Sequence, residues 1–185
     1  MEPLASGYTL FETRLGWIGI AWTPAGVLHL QLPESDRRST AARLLKRGSP
    51  AIAAEPPARV QEAIAAIERY AGGEKVDFSA IELDLDGSDE FRRAIYRQAR
   101  SLSYGETTTY GALAESAGHP GMARETGQAM ASNPVPIIIP CHRVLAAGGR
   151  MGGFSAPGGQ ATKRRLLEME RARPPSPAGQ AAFPF

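Results

Sequence analysis

The chain holds a single cysteine, in the run Ile137-Ile138-Ile139-Pro140-Cys141-His142-Arg143-Val144. A thiol is the strongest nucleophile among the side chains, and its reactive form is the thiolate. The run is expected to set that thiol beside an imidazole and a guanidinium, neighbours that favour ionisation near neutral pH. The same run also reads as a core strand ending in a buried, inert cysteine. The tetrapeptide alone leaves both readings open. A second ionisable group, Glu170, lies four residues after Leu166 and three after Leu167, on what would be one helical face. A carboxylate on a buried face needs a partner, and an imidazole that activates a nucleophile is a natural one. A solvated helix end is the alternative.

Other chemistry is harder to build from these residues. One Cys and three scattered His (His29, His119 and His142) form no zinc ligand set, so no metal is expected. The glycine-rich stretch Gly148–Gly159 lacks the spacing of a phosphate-cradling loop. It reads instead as a loop near Cys141 that could present Phe154 and Ser155 to a ligand.

These residues must be positioned by ordinary elements. The 185 residues carry typical hydrophobic and charged fractions, with no apolar run near the roughly 20 residues of a membrane helix. No basic-then-apolar leader opens the chain, and a lone cysteine fits a reducing compartment, so a cytoplasmic location is expected. Residues 1–87 hold 9 Lys/Arg against 12 Asp/Glu, a balance of −3, and residues 88–185 hold 12 against 7, a balance of +5. The second half is therefore the candidate for a polyanionic partner.

The expected fold is α+β. Tyr8–Phe11, Trp17–Trp22 and Val27–Leu32 read as strands of a small antiparallel sheet, with His29 facing solvent. Ser35 is expected to cap a helix through Arg47, and another helix follows Pro56-Pro57. The alternation of Ile81, Leu83 and Leu85 predicts one more strand. Residues 1–87 would then form an N-terminal α/β domain. From Ser88 the texture is helical: one helix begins at Ser88-Asp89-Glu90, a second runs from Tyr110 to Ala117 behind a Thr109 cap, and a third runs from Met122 to Ser132. The turn Gly118–Gly121 between the last two suggests a helix-turn-helix, or any αα corner. On the third helix Arg124, Gly127, Gln128 and Ala131 share a face that is nearly bald, suited to packing on a helix or to close approach to a nucleic-acid groove. A final helix spans Ala161–Arg171, and residues 172–185 read as a disordered tail.

Together these residues resemble the O6-alkylguanine-DNA alkyltransferases (methylated-DNA–protein-cysteine methyltransferases). The resemblance covers about residues 88–171. It rests on Asn133–Val144, on Tyr104-Gly105-Glu106-Thr107-Thr108-Thr109-Tyr110 and on Lys163–Glu170. It implies a DNA-binding and alkyl-transfer domain at 88–171, a monomer, and double-stranded DNA containing O6-alkylguanine as partner, with no cofactor and no membrane. Cys141 would take the alkyl group irreversibly, from O6-alkylguanine and also from O4-alkylthymine, after the base is flipped out of the duplex from the minor groove. His142 would act through a water as the base, Glu170 would orient it, Tyr110 would protonate the departing guanine, and Asn133 would brace the turn that carries Cys141. Met130, Pro136, Val144, Phe154 and Ser155 would form the pocket, and Arg124, Gly127, Gln128 and Ala131 the DNA contact. Phe154 stands where many relatives have Tyr, and Ala156-Pro157 reads as an insertion in the pocket loop. The competing readings are an alkyltransferase-like lesion-binding protein, which the presence of Cys141 opposes, and a Cys-His hydrolase, which the direct adjacency of Cys141 and His142 opposes.

Overall fold

In the computed structural model, residues 6–50 and 52–173 are described. The chain divides into two units. One comprises the residues through Asp89 together with Pro134–Ile138, and the other comprises Glu90–Asn133 and Ile139 onward.

The first unit is built on three antiparallel strands in the order β1 (Gly7–Thr13), β2 (Gly16–Thr23) and β3 (Gly26–Gln31). The central strand is buried along Ile18–Trp22, and helices α1 (Arg37–Lys46) and α2 (Ala58–Ala71) pack on the sheet through Leu44, Val60 and Ile67. The cap of α1 is Asp36 rather than Ser35: its carboxylate accepts the Ser39 N–H at 2.7 Å. The expected strand at 81–85 is reduced to a single parallel bridge, Val27 to Leu83. Gly26 permits that bridge. Its φ is +151°, and a Cβ there would lie 2.6 Å from the Glu82 carbonyl. His29 does not simply face solvent. It is half-buried, 2.7 Å from the Ser49 hydroxyl, and burial together with the Arg47 charge holds its pKa down at about 4.

The second unit begins with α3 (Glu90–Arg100), followed by a two-residue strand β4 (Thr108–Thr109), α4 (Tyr110–Ser116) and α5 (Ala123–Ala131). Thr109 caps α4 as expected, accepting the Ala112 N–H at 3.2 Å. Helices α4 and α5 pack on each other and on α3, burying Leu113, Ala129, Met130, Ile95 and Tyr96. The Tyr96 hydroxyl donates to the Ala129 carbonyl. The isoleucine run is not a strand ending at the cysteine. Ile137 sits at φ +75°, a left-handed conformation that is costly for a β-branched residue. Cys141–Arg143 then form one 3₁₀ turn, followed by β5 (Val144–Leu145) and, last, α6 (Gln160–Met169).

The β4–β5 pairing is parallel, Thr108 with Val144 and Thr109 with Leu145. It joins the start of α4 to the residue pair just after the cysteine turn, so Tyr110 and Cys141 are drawn to one place. Residues 174–185, most of the expected tail, lie outside the described residues. Ala172 and Arg173 are held: the Ala172 N–H donates to the Leu167 carbonyl and the Arg173 N–H to the Gly105 carbonyl, both at 2.9 Å. No helix among the described residues is long and apolar enough to cross a membrane.

Candidate active site

A cavity of about 420 Å³ in the second unit is lined by Tyr110, Gly127, Met130, Ala131, Cys141, Gly153, Phe154 and Ser155. Cys141 reaches it while only 7% exposed. Four elements therefore supply the lining: the start of α4, one face of α5, the 3₁₀ turn at Cys141, and the loop before α6.

The cysteine turn is fixed by its neighbours. Asn133 Nδ2 donates to the Ile139 carbonyl at 2.8 Å, just before the turn, and the Asn133 side chain also hydrogen-bonds the thiol. Burial pushes the Cys141 thiol pKa up. The Asn133 bond, the nearby Lys163 charge and the N–H groups of Cys141 and His142 oppose that rise without cancelling it.

Behind the cysteine lies a buried ionic cluster. The His142 side chain is fully buried, with Nε2 2.6 Å from Glu170 Oε1. Glu170 also accepts Arg143 Nε at 2.9 Å, Arg143 Nη2 at 3.0 Å and the Gly105 N–H at 3.0 Å. Burial alone would raise the Glu170 pKa. The bonds from His142 and Arg143 win, and its carboxyl is held well below the usual range. Burial holds the His142 pKa below its ordinary value despite Glu170. The ring is thus neutral at pH 7, and donating the Nε2 proton to the carboxylate leaves Nδ1 as its lone-pair acceptor. Gly105 makes the approach to Glu170 possible, because at φ +77° a Cβ would lie 2.9 Å from the Glu170 carbonyl oxygen.

This arrangement corrects one expectation. Arg143 does not serve the thiol. Its guanidinium is committed to Glu170 and, through Nη1, to the Leu102 carbonyl at 2.7 Å. The cation that acts on Cys141 is Lys163, which sequence reasoning missed. Its side chain is fully buried, with Nζ 2.7 Å from the Val144 carbonyl and 3.3 Å from the Gly153 carbonyl. Nζ also stands 5.8 Å from the Tyr110 ring centre and 5.9 Å from that of Phe154. Burial lowers its pKa to about 8, against the attraction of Cys141. The signal was present: 163, 166 and 170 share a face, so the spacing that placed Glu170 inside also placed Lys163 there.

Of the other residues named from sequence, Tyr110, Met130, Phe154 and Ser155 line the cavity, whereas Pro136 and Val144 are not among its lining residues. The Tyr110 hydroxyl pKa is raised by burial and by the neighbouring Cys141, so the group is a proton donor at neutral pH. On α5, Arg124, Gln128 and Ala131 are exposed and Gly127 is half-buried, while Thr126, Ala129 and Met130 face inward. A Cβ at Gly127 would meet nothing within 4 Å. Among the described residues the bald face is open, and no helix packs into the space beside Gly127.

Known proteins resemble this chain along most of its length. The profile described as "6-O-methylguanine DNA methyltransferase, DNA binding domain" matches residues 90–172. A methylated-DNA–protein-cysteine methyltransferase of Mycolicibacterium paratuberculosis is 43% identical over 122 residues, covering 66% of this chain and 72% of that protein. One from Methanothermobacter thermautotrophicus is 33% identical over 83% of this chain and 78% of its own. Among solved structures, Mycobacterium tuberculosis OGT in complex with DNA superposes with a TM-score of 0.70 at 30% identity, over 89% of this chain and 93% of that one.

Proposed function

The chain belongs to the methylated-DNA–protein-cysteine methyltransferases, enzymes that repair DNA by alkyl transfer, and from that premise we propose that Cys141 takes the alkyl group of O6-alkylguanine, and of O4-alkylthymine, once and irreversibly. The observation that carries this reading is the cavity itself: it is lined by a single thiol, a protonated phenol and the open small-residue face of a helix.

In the proposed reaction the Cys141 sulfur attacks the alkyl carbon bound to guanine O6. A C–S bond forms, the C–O bond breaks, and the electron pair passes into the guanine ring. Tyr110 donates a proton to that leaving group, so no guanine anion has to depart. The thiol starts protonated because burial raises its pKa. A neutral His142 with Nδ1 as acceptor takes the proton through a water, and Glu170 stabilises the imidazolium that results. Arg143 keeps Glu170 ionised for that purpose. The Ser155 N–H faces O6, the Cys141 backbone holds the exocyclic amine, and Met130 bounds the base. The thioether has no leaving group comparable to the guanine and no second thiol to resolve it, which makes the protein single-turnover.

A base inside a duplex is out of reach of a buried thiol that lines a cavity, so the target nucleotide is flipped out. Arg124 enters the stack from the minor groove as the base leaves, and Gly127 and Ala131 let α5 lie deep enough. The test is transfer of label from duplex DNA containing labelled O6-methylguanine. The expected result is one equivalent of label on Cys141 and none on a Cys141→Ala variant that still binds DNA. Continued turnover, or no transfer, would overturn the reading.

A further inference from the structure

The loop that walls the cavity opposite α5 is tied down unevenly. Among the described residues, three side-chain tethers come from α6: Gln160 Nε2 to the Gly152 carbonyl at 2.9 Å, Lys163 Nζ to the Gly153 carbonyl at 3.3 Å, and the Thr162 hydroxyl to the Pro157 carbonyl at 2.6 Å. The fourth runs the other way. The Ser155 hydroxyl donates to the Ala131 carbonyl at 2.7 Å, bonding the loop to the last residue of α5. Carbonyls of a final helical turn have lost their intrahelical donors, so Ala131 offers an acceptor that a serine can reach. Both residues line the cavity. The bond therefore fixes how far the wall carrying Gly153 and Phe154 stands from the wall carrying Gly127 and Met130.

From this geometry we infer that the Ser155 hydroxyl is a specificity-determining latch, setting the spacing of the two walls and so discriminating among O6-alkyl groups by their width. The inference rests on the proposed function, in which alkylguanine occupies this cavity. A methyl group adds little to the width of the base. An aromatic substituent at O6 must lie between the walls, and a wall held by a hydrogen bond cannot retreat without breaking it. The bond lies in an exposed position, where a single hydrogen bond is worth on the order of a fivefold change in an equilibrium. That is the size of the bias against wide groups. The hydroxyl acts through the wall and touches no reacting atom, so it is a positioning group, separate from the Ser155 N–H assigned to O6.

The experiment is single-turnover transfer by the full-length protein from duplexes carrying O6-methylguanine or O6-benzylguanine. It compares the native protein with Ser155→Ala and Ser155→Thr. The expected result is a benzyl-to-methyl rate ratio about fivefold higher in Ser155→Ala, with Ser155→Thr, which keeps a hydroxyl, at the native ratio. An unchanged or lower ratio in Ser155→Ala, including equal loss on both substrates, would overturn the latch. So would a Ser155→Thr ratio equal to that of Ser155→Ala. Methyl transfer with an unchanged ratio removes the latch alone, whereas no transfer by the native protein removes the proposed function and the latch with it.

Discussion

Each unit contains a cavity of nearly the same size, about 410 Å³ in the first and about 420 Å³ in the second. The first is lined by Val27, Val60, Ala66 and Ile81 with Glu62, Asp77, Glu82 and Arg59 around them. Its one cation is spent on structure, since Arg59 bonds the Thr23 carbonyl at 2.9 Å and reaches Glu82 at 3.4 Å. No thiol or imidazole lines it. The second cavity has Cys141 in its wall, and behind it His142, Arg143, Lys163 and Glu170, all buried. Volume does not distinguish the two. The difference is that one unit buries four ionisable groups around a cysteine, while the other buries chiefly apolar side chains and a few uncharged polar ones such as Gln31, Thr40 and Ser49. Burial of charge is expensive unless it is paired, and the charged groups of this cluster all have hydrogen-bond partners.

That contrast can be broken in graded steps. The largest effect is expected from Glu170→Gln, which strands Arg143 in a buried site. Loss of one partner from a buried pair costs about 3–5 kcal/mol, measurable by denaturant unfolding. The same cluster gives a pH dependence. Folded His142 is held below its ordinary 6.5, so below that pH the unfolded chain takes up a proton the folded one does not, and stability falls as pH drops. Glu170, held below its ordinary 4.5, loses its stabilisation as pH falls further. Unfolding at pH 5 should therefore need less denaturant than at pH 7, and the reverse order would contradict the assigned charge states.

Next comes a core truncation in the first unit. Ile67→Ala should cost about 2–5 kcal/mol yet leave the single-turnover transfer rate at 25 °C within about twofold. A larger loss of rate would show that the first unit holds the active site in shape as well as itself. Gly127→Ala should do the opposite. An alanine in mid-helix with open space around its Cβ gains up to about 1 kcal/mol, but it should weaken binding to duplex DNA, as measured by titration. Arg124→Ala should slow repair of duplex far more than reaction with free O6-benzylguanine. The smallest effect is expected at the Arg43–Glu34 pair of the first unit, where the arginine is exposed and Arg43→Ala should change stability by less than about 1 kcal/mol.

The elements of the second unit were legible because their signals are local. Thr109 as a cap acts within a few residues, and the bald face of α5 follows from helical period alone. Local signals failed where the outcome depended on a distant segment. The alternation at Ile81–Leu85 is real, but only Leu83 finds a strand to pair with. The isoleucine run has β propensity throughout, yet Ile137 turns left-handed. The Ser35 cap failed for a local reason instead: the neighbouring Asp36 carboxylate accepts the Ser39 N–H, so the helix starts one residue later.

The sequence by itself determined which atoms are available for reaction: one thiol, an imidazole beside it, a phenol and a carboxylate, with no metal set among them. It also determined the period that puts Lys163 and Glu170 on the buried side of α6, although that period alone was not enough to assign Lys163 a role. The tertiary structure decided which charge answers which. Arg143 is next to His142 in the chain, but the 3₁₀ turn sends it to Glu170 and Leu102, while Lys163, twenty-two residues from Cys141, supplies the field at the thiol. The physical reason is one of range. Covalent neighbours share a backbone whose dihedrals point their side chains apart, whereas electrostatic and hydrogen-bond partners are chosen by distance in space, and only packing sets that distance.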